Sequence, residues 1–193
     1  MPDAATAARL NALVTPDRAK QLLVELVRVP SPQTELMEAE PLLRAFIDNA
    51  IAPRLPALGF AQHRRDGMGN LIAERGADAT GRSLMLITNA MNQPQATMAN
   101  AYAGDVIDAR PHGLPGEAVL GKGASEQKGP MAAVFLAMEA VQAAGIALRG
   151  RLVFLCCTSG ETGRHDAIRS VVEGVGVRAE MAILGGTSLQ INL

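Results

Sequence analysis

GKGASEQKGPMAA, residues 121–133, joins a strand-like run (Ala118, Val119, Leu120) to the start of a helix rich in small residues. Gly121 and Gly123 form a Gly-x-Gly turn after that run, and such a turn lets the backbone come close to a phosphate, a metal or another chain segment. No further glycine follows at dinucleotide-binding spacing, and no Gly-Lys is followed by Ser or Thr, so phosphate binding does not follow from the pattern. An acid, Glu126, and a base, Lys128, remain. They read either as a metal-binding turn or as solvated charges capping an ordinary strand–turn–helix.

Downstream, residues 127–146 carry Met131, Val134, Phe135, Met138 and Val141 on one helical stripe, with the methionines as core filler. Residues 151–157 and 180–184 read as strands and residues 164–173 as a short helix between them. Leu189, Ile191 and Leu193 alternate with polar residues, the pattern of one more strand. Upstream, Thr15-Pro16 is an N-cap followed by proline at the first helical position, and Leu22, Leu23, Leu26 and Val27 form the buried face behind it. A second helix is expected over residues 34–52, with Leu42, Leu43, Phe46 and Ile47 inward. Residues 61–65 and 70–74 read as a strand pair around the turn Asp66-Gly67-Met68-Gly69, and residues 84–87 as a strand covered on both faces. Residues 89–115 show little periodicity, and excursions this long usually serve a site or a partner. Strands alternating with helices point to a layered α/β sheet.

The 193 residues suffice for one domain with a sizeable core, and 48% apolar with 19% charged residues fits a soluble globular protein. A net charge of −1, no Trp and one Tyr give no footprint for nucleic acid. No apolar run reaches membrane-spanning length. The first residues lack the basic start and apolar core of a secretory signal, so a cytoplasmic location is expected. Cys156 and Cys157 are strand neighbours pointing to opposite faces, which argues for buried free thiols rather than a disulfide.

Taken in order, LLVELVRVPSP, ALGF with GMGNLIAE, LMLITNAMNQP, GKGASEQKG, FLCCTSGETG and AILGGTSLQI resemble the landmarks of the zinc aminoacylase, acetylornithine deacetylase and succinyl-diaminopimelate desuccinylase family of metallopeptidases. The resemblance implies a three-layer α/β/α sheet, with residues 1–193 a single, partial catalytic domain. The lid or dimerisation domain and the C-terminal strands of that family are expected to be missing. Whole members of the family hydrolyse the amide bond of N-acyl amino acids or small peptides with a zinc-bound water.

The residues that would carry this chemistry agree less well. The position of the family's first His ligand falls on Asn89, and the Asp that orients it falls on Met91. The bridging Asp is matched by Glu126, the general base by Gly160 and its ligand neighbour by Glu161. Gly185-Gly186-Thr187 lacks the acidic ligand of that landmark. A neutral amide is a poor zinc ligand, and a catalytic zinc usually takes about three protein ligands. Loss of a general base alone typically costs about 10²–10⁴-fold in rate. The donors left are Glu126 and Glu161, with His165 four residues on from Glu161, where a helix would put both on one face. At most one weakly held zinc is expected, or none. Alternatively, residues 164–166 simply open a helix with Asp166 in its first turn. His63 and His112 read as surface histidines.

Two functions remain open on the sequence. The chain is the amino-terminal part of an amidohydrolase, not competent alone, or a non-catalytic binding or regulatory subunit of the same fold. Because the sheet would lack its returning strands, self-association or a partner chain supplying the missing half is expected.

Overall fold

The computed structural model describes residues 3–76, 81–94, 98–159 and 165–186. Five strands form the central sheet in the order β1 (His63–Arg65), β2 (Leu71–Arg75), β6 (Arg151–Cys157), β3 (Ser83–Asn89) and β7 (Met181–Leu184). β1, β2 and β6 are mutually antiparallel neighbours, whereas β6, β3 and β7 run parallel. A separate ribbon pairs β4 (Asp105–Asp108) with β5 (Glu117–Leu120). The strand leading into Gly121 therefore belongs to this ribbon, and the long excursion after Asn89 contains its partner.

Helices cover both faces. On one side α2 (Pro16–Val27), α3 (Pro41–Phe46) and α4 (Lys128–Ala143) bury Leu22, Leu26, Leu43, Phe46, Met131, Phe135 and Met138 against Leu71, Phe154 and Cys156. On the other, α5 (Asp166–Arg169) and the wider turns that continue it over Ser170–Val175 pack Ala167 and Val171 on Ile72, Met85, Val153, Leu155 and Cys157. Each fully buried Leu, Ile or Phe contributes roughly 1.5–3 kcal/mol. The three-layer α/β/α expectation is met, and alternation puts the two free cysteines into opposite cores. A further helix, α1 (Ala4–Leu13), has no buried residue and is tied to the end of α4 by Arg9, which donates to the Ala144 carbonyl at 2.5 Å.

The expected cap of α2 is present: the Thr15 hydroxyl accepts from the Arg18 amide at 3.2 Å, with Pro16 at the first position. The helix expected over residues 34–52 is instead broken. A short turn at Met37–Ala39 ends at Glu40, which caps the Leu42 amide at 3.0 Å, and α3 starts at Pro41. Proline fits the first turn of a helix, where its missing N–H is not needed, and not the interior. The restart turns Leu42 outward, so it is exposed rather than inward as expected. After Phe46 the helix widens over Ile47–Ile51. The strand expected at Leu189, Ile191 and Leu193 lies outside the described residues. No described helix is long and apolar enough to cross a membrane.

Candidate functional site

Parallel strands leave their carboxyl ends open to a crevice, the usual ligand position in an α/β sheet. Here β3 ends at Asn89 and β6 at Cys157, which are register partners. A cavity of roughly 130 Å³ opens there, lined by Asn89, Cys157, Ser159 and His165 and by the apolar Ile87, Ile168 and Leu184.

One buried side chain holds this end of the sheet together. The Asn70 amide oxygen accepts from the Thr158 amide at 2.8 Å and the Thr158 hydroxyl at 3.1 Å. Its nitrogen donates to the Ala167 carbonyl at 3.0 Å and to Asp66 Oδ2 at 2.7 Å. Asn70 thus links the end of β6 to the start of α5, placing Ser159 and His165 at one rim. Asp66 in turn caps the amides of Met68 and Asn70 across the β1–β2 turn. Burial pushes both thiols up, Cys156 to about 12 and Cys157 further, so neither is a thiolate nucleophile at neutral pH.

The loop 121–127 stands beside the α2 terminus. A Cβ on Gly121 would lie 2.3 Å from the Val27 side chain, and Gly123 (φ +81°) has Asn92 within 2.9 Å of where its Cβ would be. The Gly-x-Gly turn therefore serves close approach of chain to chain. Glu126 places Oε1 3.9 Å from Lys122 Nζ, and its Oε2 is buried without a hydrogen-bond partner. Asn92 is fully buried, accepts from the Ser31 hydroxyl at 2.8 Å and leaves its own Nδ2 unpartnered, as are Gln127 Oε1 and the Tyr102 hydroxyl.

Lys128 is not the solvated charge of the simplest reading. It is fully buried, its Nζ donating to the Val29 carbonyl at 2.7 Å with the Phe46 and Tyr102 rings 4.9 and 5.3 Å away. Burial brings its pKa down to about 7. The sequence held a signal for this: residues 128, 131, 135 and 138 recur at helical spacing, so Lys128 shares the buried stripe.

Of the residues singled out in the sequence, Asn89 and His165 come together at the strand-end cavity, and Glu126 is not among its lining residues. Gly160 and Glu161 lie outside the described residues. His165 is exposed and left-handed (φ 59°), and α5 begins only at Asp166. Helical spacing therefore does not position His165. Asp166 does stand in the first turn. Met91 is wholly buried in the core, and His63 and His112 are on the surface. Among the described residues no three His, Cys, Asp or Glu side chains gather where they could hold a metal ion. One Glu126 oxygen faces a lysine and Asn89 is neutral, so the described donors do not fit a two-zinc centre.

No protein-family model and no curated protein sequence matches the chain. Solved structures do. Human carnosine dipeptidase 1 superposes with a TM-score of 0.75 at 20% identity, over 97% of this chain and 42% of that one. A metallo-carboxypeptidase of the M20 family from Sulfolobus solfataricus gives 0.69 at 16% identity, over 89% of this chain and 38% of its own. A tripeptidase from Staphylococcus aureus gives 0.62 at 14% identity, over 91% and 44%. The fold is that of these peptidases. At such identities the likeness carries the fold alone, and the chain spans less than half the length of each.

Proposed function

We propose that this chain is a peptidase-fold domain that binds a small amide-containing ligand, an N-acyl amino acid or short peptide, at the ends of β3 and β6 and does not hydrolyse it with its own groups. The reading rests on the lining of that cavity. Where the family resemblance puts a metal-binding histidine there is Asn89, whose amide can donate to a carbonyl and accept from an N–H. Ser159 adds a hydroxyl, His165 a ring and three aliphatic side chains a dry wall. These groups bind and orient an amide, while nothing in the described lining is a carboxylate base that would activate water. The neighbours that act on dipeptides, tripeptides or peptide carboxyl ends support the ligand class.

The share of those neighbours that the chain spans supports a second reading, in which it is the amino-terminal part of an amidohydrolase and groups from a further segment or chain supply the base and remaining ligands. One assay separates the two. Purified protein, with and without added zinc, is given N-acetyl and N-succinyl amino acids and dipeptides. The expected result is binding by calorimetry and no turnover above background. Turnover that survives extensive purification and is lost in Glu126→Ala contradicts the proposal. Turnover appearing only on addition of a complementary chain establishes the second reading.

A further inference from the structure

We propose that the outer edge of β7 pairs with β7 of a second copy of this chain, antiparallel and about a two-fold axis through Ile183. The two edges of the central sheet are treated differently. β1, at one edge, is His63-Arg64-Arg65, fully exposed and charged, with Arg64 held to Glu74 at 2.8 Å. Charge of this kind is how proteins blunt a sheet edge against pairing. β7, at the other edge, is Met181-Ala182-Ile183-Leu184, without a charge, a proline or a bulge. Met181, Ile183 and Leu184 are 59%, 54% and 63% exposed, and among the described residues only β3 pairs with the strand.

The backbone fixes which residues can bond outward. Leu184 is the register partner of Ile87, yet it is Gly185 that donates its amide to the Ile87 carbonyl, at 2.8 Å. In a parallel ladder this assigns the peptide groups of residues 181, 183 and 185 to β3. Those of Ala182 and Leu184 therefore point away from the sheet. An antiparallel copy satisfies both when Ala182 faces Leu184 of the other chain and Leu184 faces its Ala182, each pair exchanging two hydrogen bonds. Ile183 then faces its own copy in the close, non-bonded position, and Glu180 faces Gly186, so no like charges are opposed. The strand is thus complementary to itself, which is what a two-fold interface requires. So short a ladder buries less than the roughly 800 Å² per partner of a standard interface, so the dimer is concentration-dependent.

The axis at Ile183 makes the test specific to one residue. In a non-bonded pair the Cα atoms stand about 4.5 Å apart, within disulfide range. Ile183→Cys, oxidised at high protein concentration, is expected to give a disulfide-linked dimer. Ala182→Cys and Leu184→Cys, equally exposed, are expected to stay largely monomeric, and the native cysteines are too buried to interfere. In sedimentation over about a hundredfold concentration range, the unaltered protein shifts from monomer to dimer. Ile183→Lys, which sets like charges against each other on the axis, stays monomeric with an unchanged far-UV spectrum. A monomer at every concentration overturns the proposal and means that another segment or an unlike partner takes the edge. Equal cross-linking at all three positions overturns it as well, by showing a contact without register.

Discussion

Lys128 places an amine wholly out of solvent between the end of α2, the Phe46 ring and the Tyr102 ring. Burial lowers its pKa from the ordinary 10.5 to about 7. Below pH 7 both the folded and the unfolded chain carry this proton, and the group adds no pH dependence. Between about 7 and 10.5 the unfolded chain holds a proton that the folded one has released. Stability is therefore expected to rise with pH across that window, by at most about 1.4 kcal/mol per pH unit from this side chain. Urea unfolding at pH 7, 8 and 9.5 measures it. Lys128→Met, which fills the same space without a charge, is expected to flatten the slope, and an unchanged slope would assign it to another group. Cys156 and Cys157 were legible because alternation along a strand is local. The burial of Lys128 was legible too, but only through its helical phase with Met131 and Phe135, since a lysine at a helix start invites a solvated reading.

Elements followed the sequence where propensity, capping and pattern agree, as at Thr15-Pro16, at the β1–β2 turn and along the stripe of α4. They departed from it where one residue interrupts a longer pattern. Apolar spacing runs unbroken across Pro41, yet proline sets the first turn of α3 there and rotates Leu42 outward. Asn70 had no local signal, because its bonds to Thr158 and Ala167 span 88 and 97 residues of sequence. Its role belongs to this scale: it ties the β1–β2 turn, the end of β6 and the start of α5 together. Asn70→Ala would leave the buried Thr158 amide without that acceptor, at a cost of about 2–4 kcal/mol. Chemical denaturation should show the loss, and exchange of the Thr158 and Ser159 amides should speed up even under native conditions. A loss well under 1 kcal/mol with unchanged exchange would mean that the strand end is held otherwise.

At the scale of the whole molecule, the layer order followed from strands alternating with helices, and the peptidase-like arrangement from landmarks in sequence order. What the landmarks did not carry was the site. Side chains converge through contacts far apart in sequence, so Asn89 and His165 share a cavity that neither motif announced, while Glu126 lies by Lys122. The central claim is that a peptidase fold here lacks the donors of a two-zinc centre and serves to bind. Equilibrium dialysis of the purified chain against zinc, with the metal counted by elemental analysis, tests it most directly. The account predicts at most one zinc per chain, released by a mild chelator and little changed by Glu126→Ala. Two zinc ions per chain, tightly held and lost together in that variant, would contradict it.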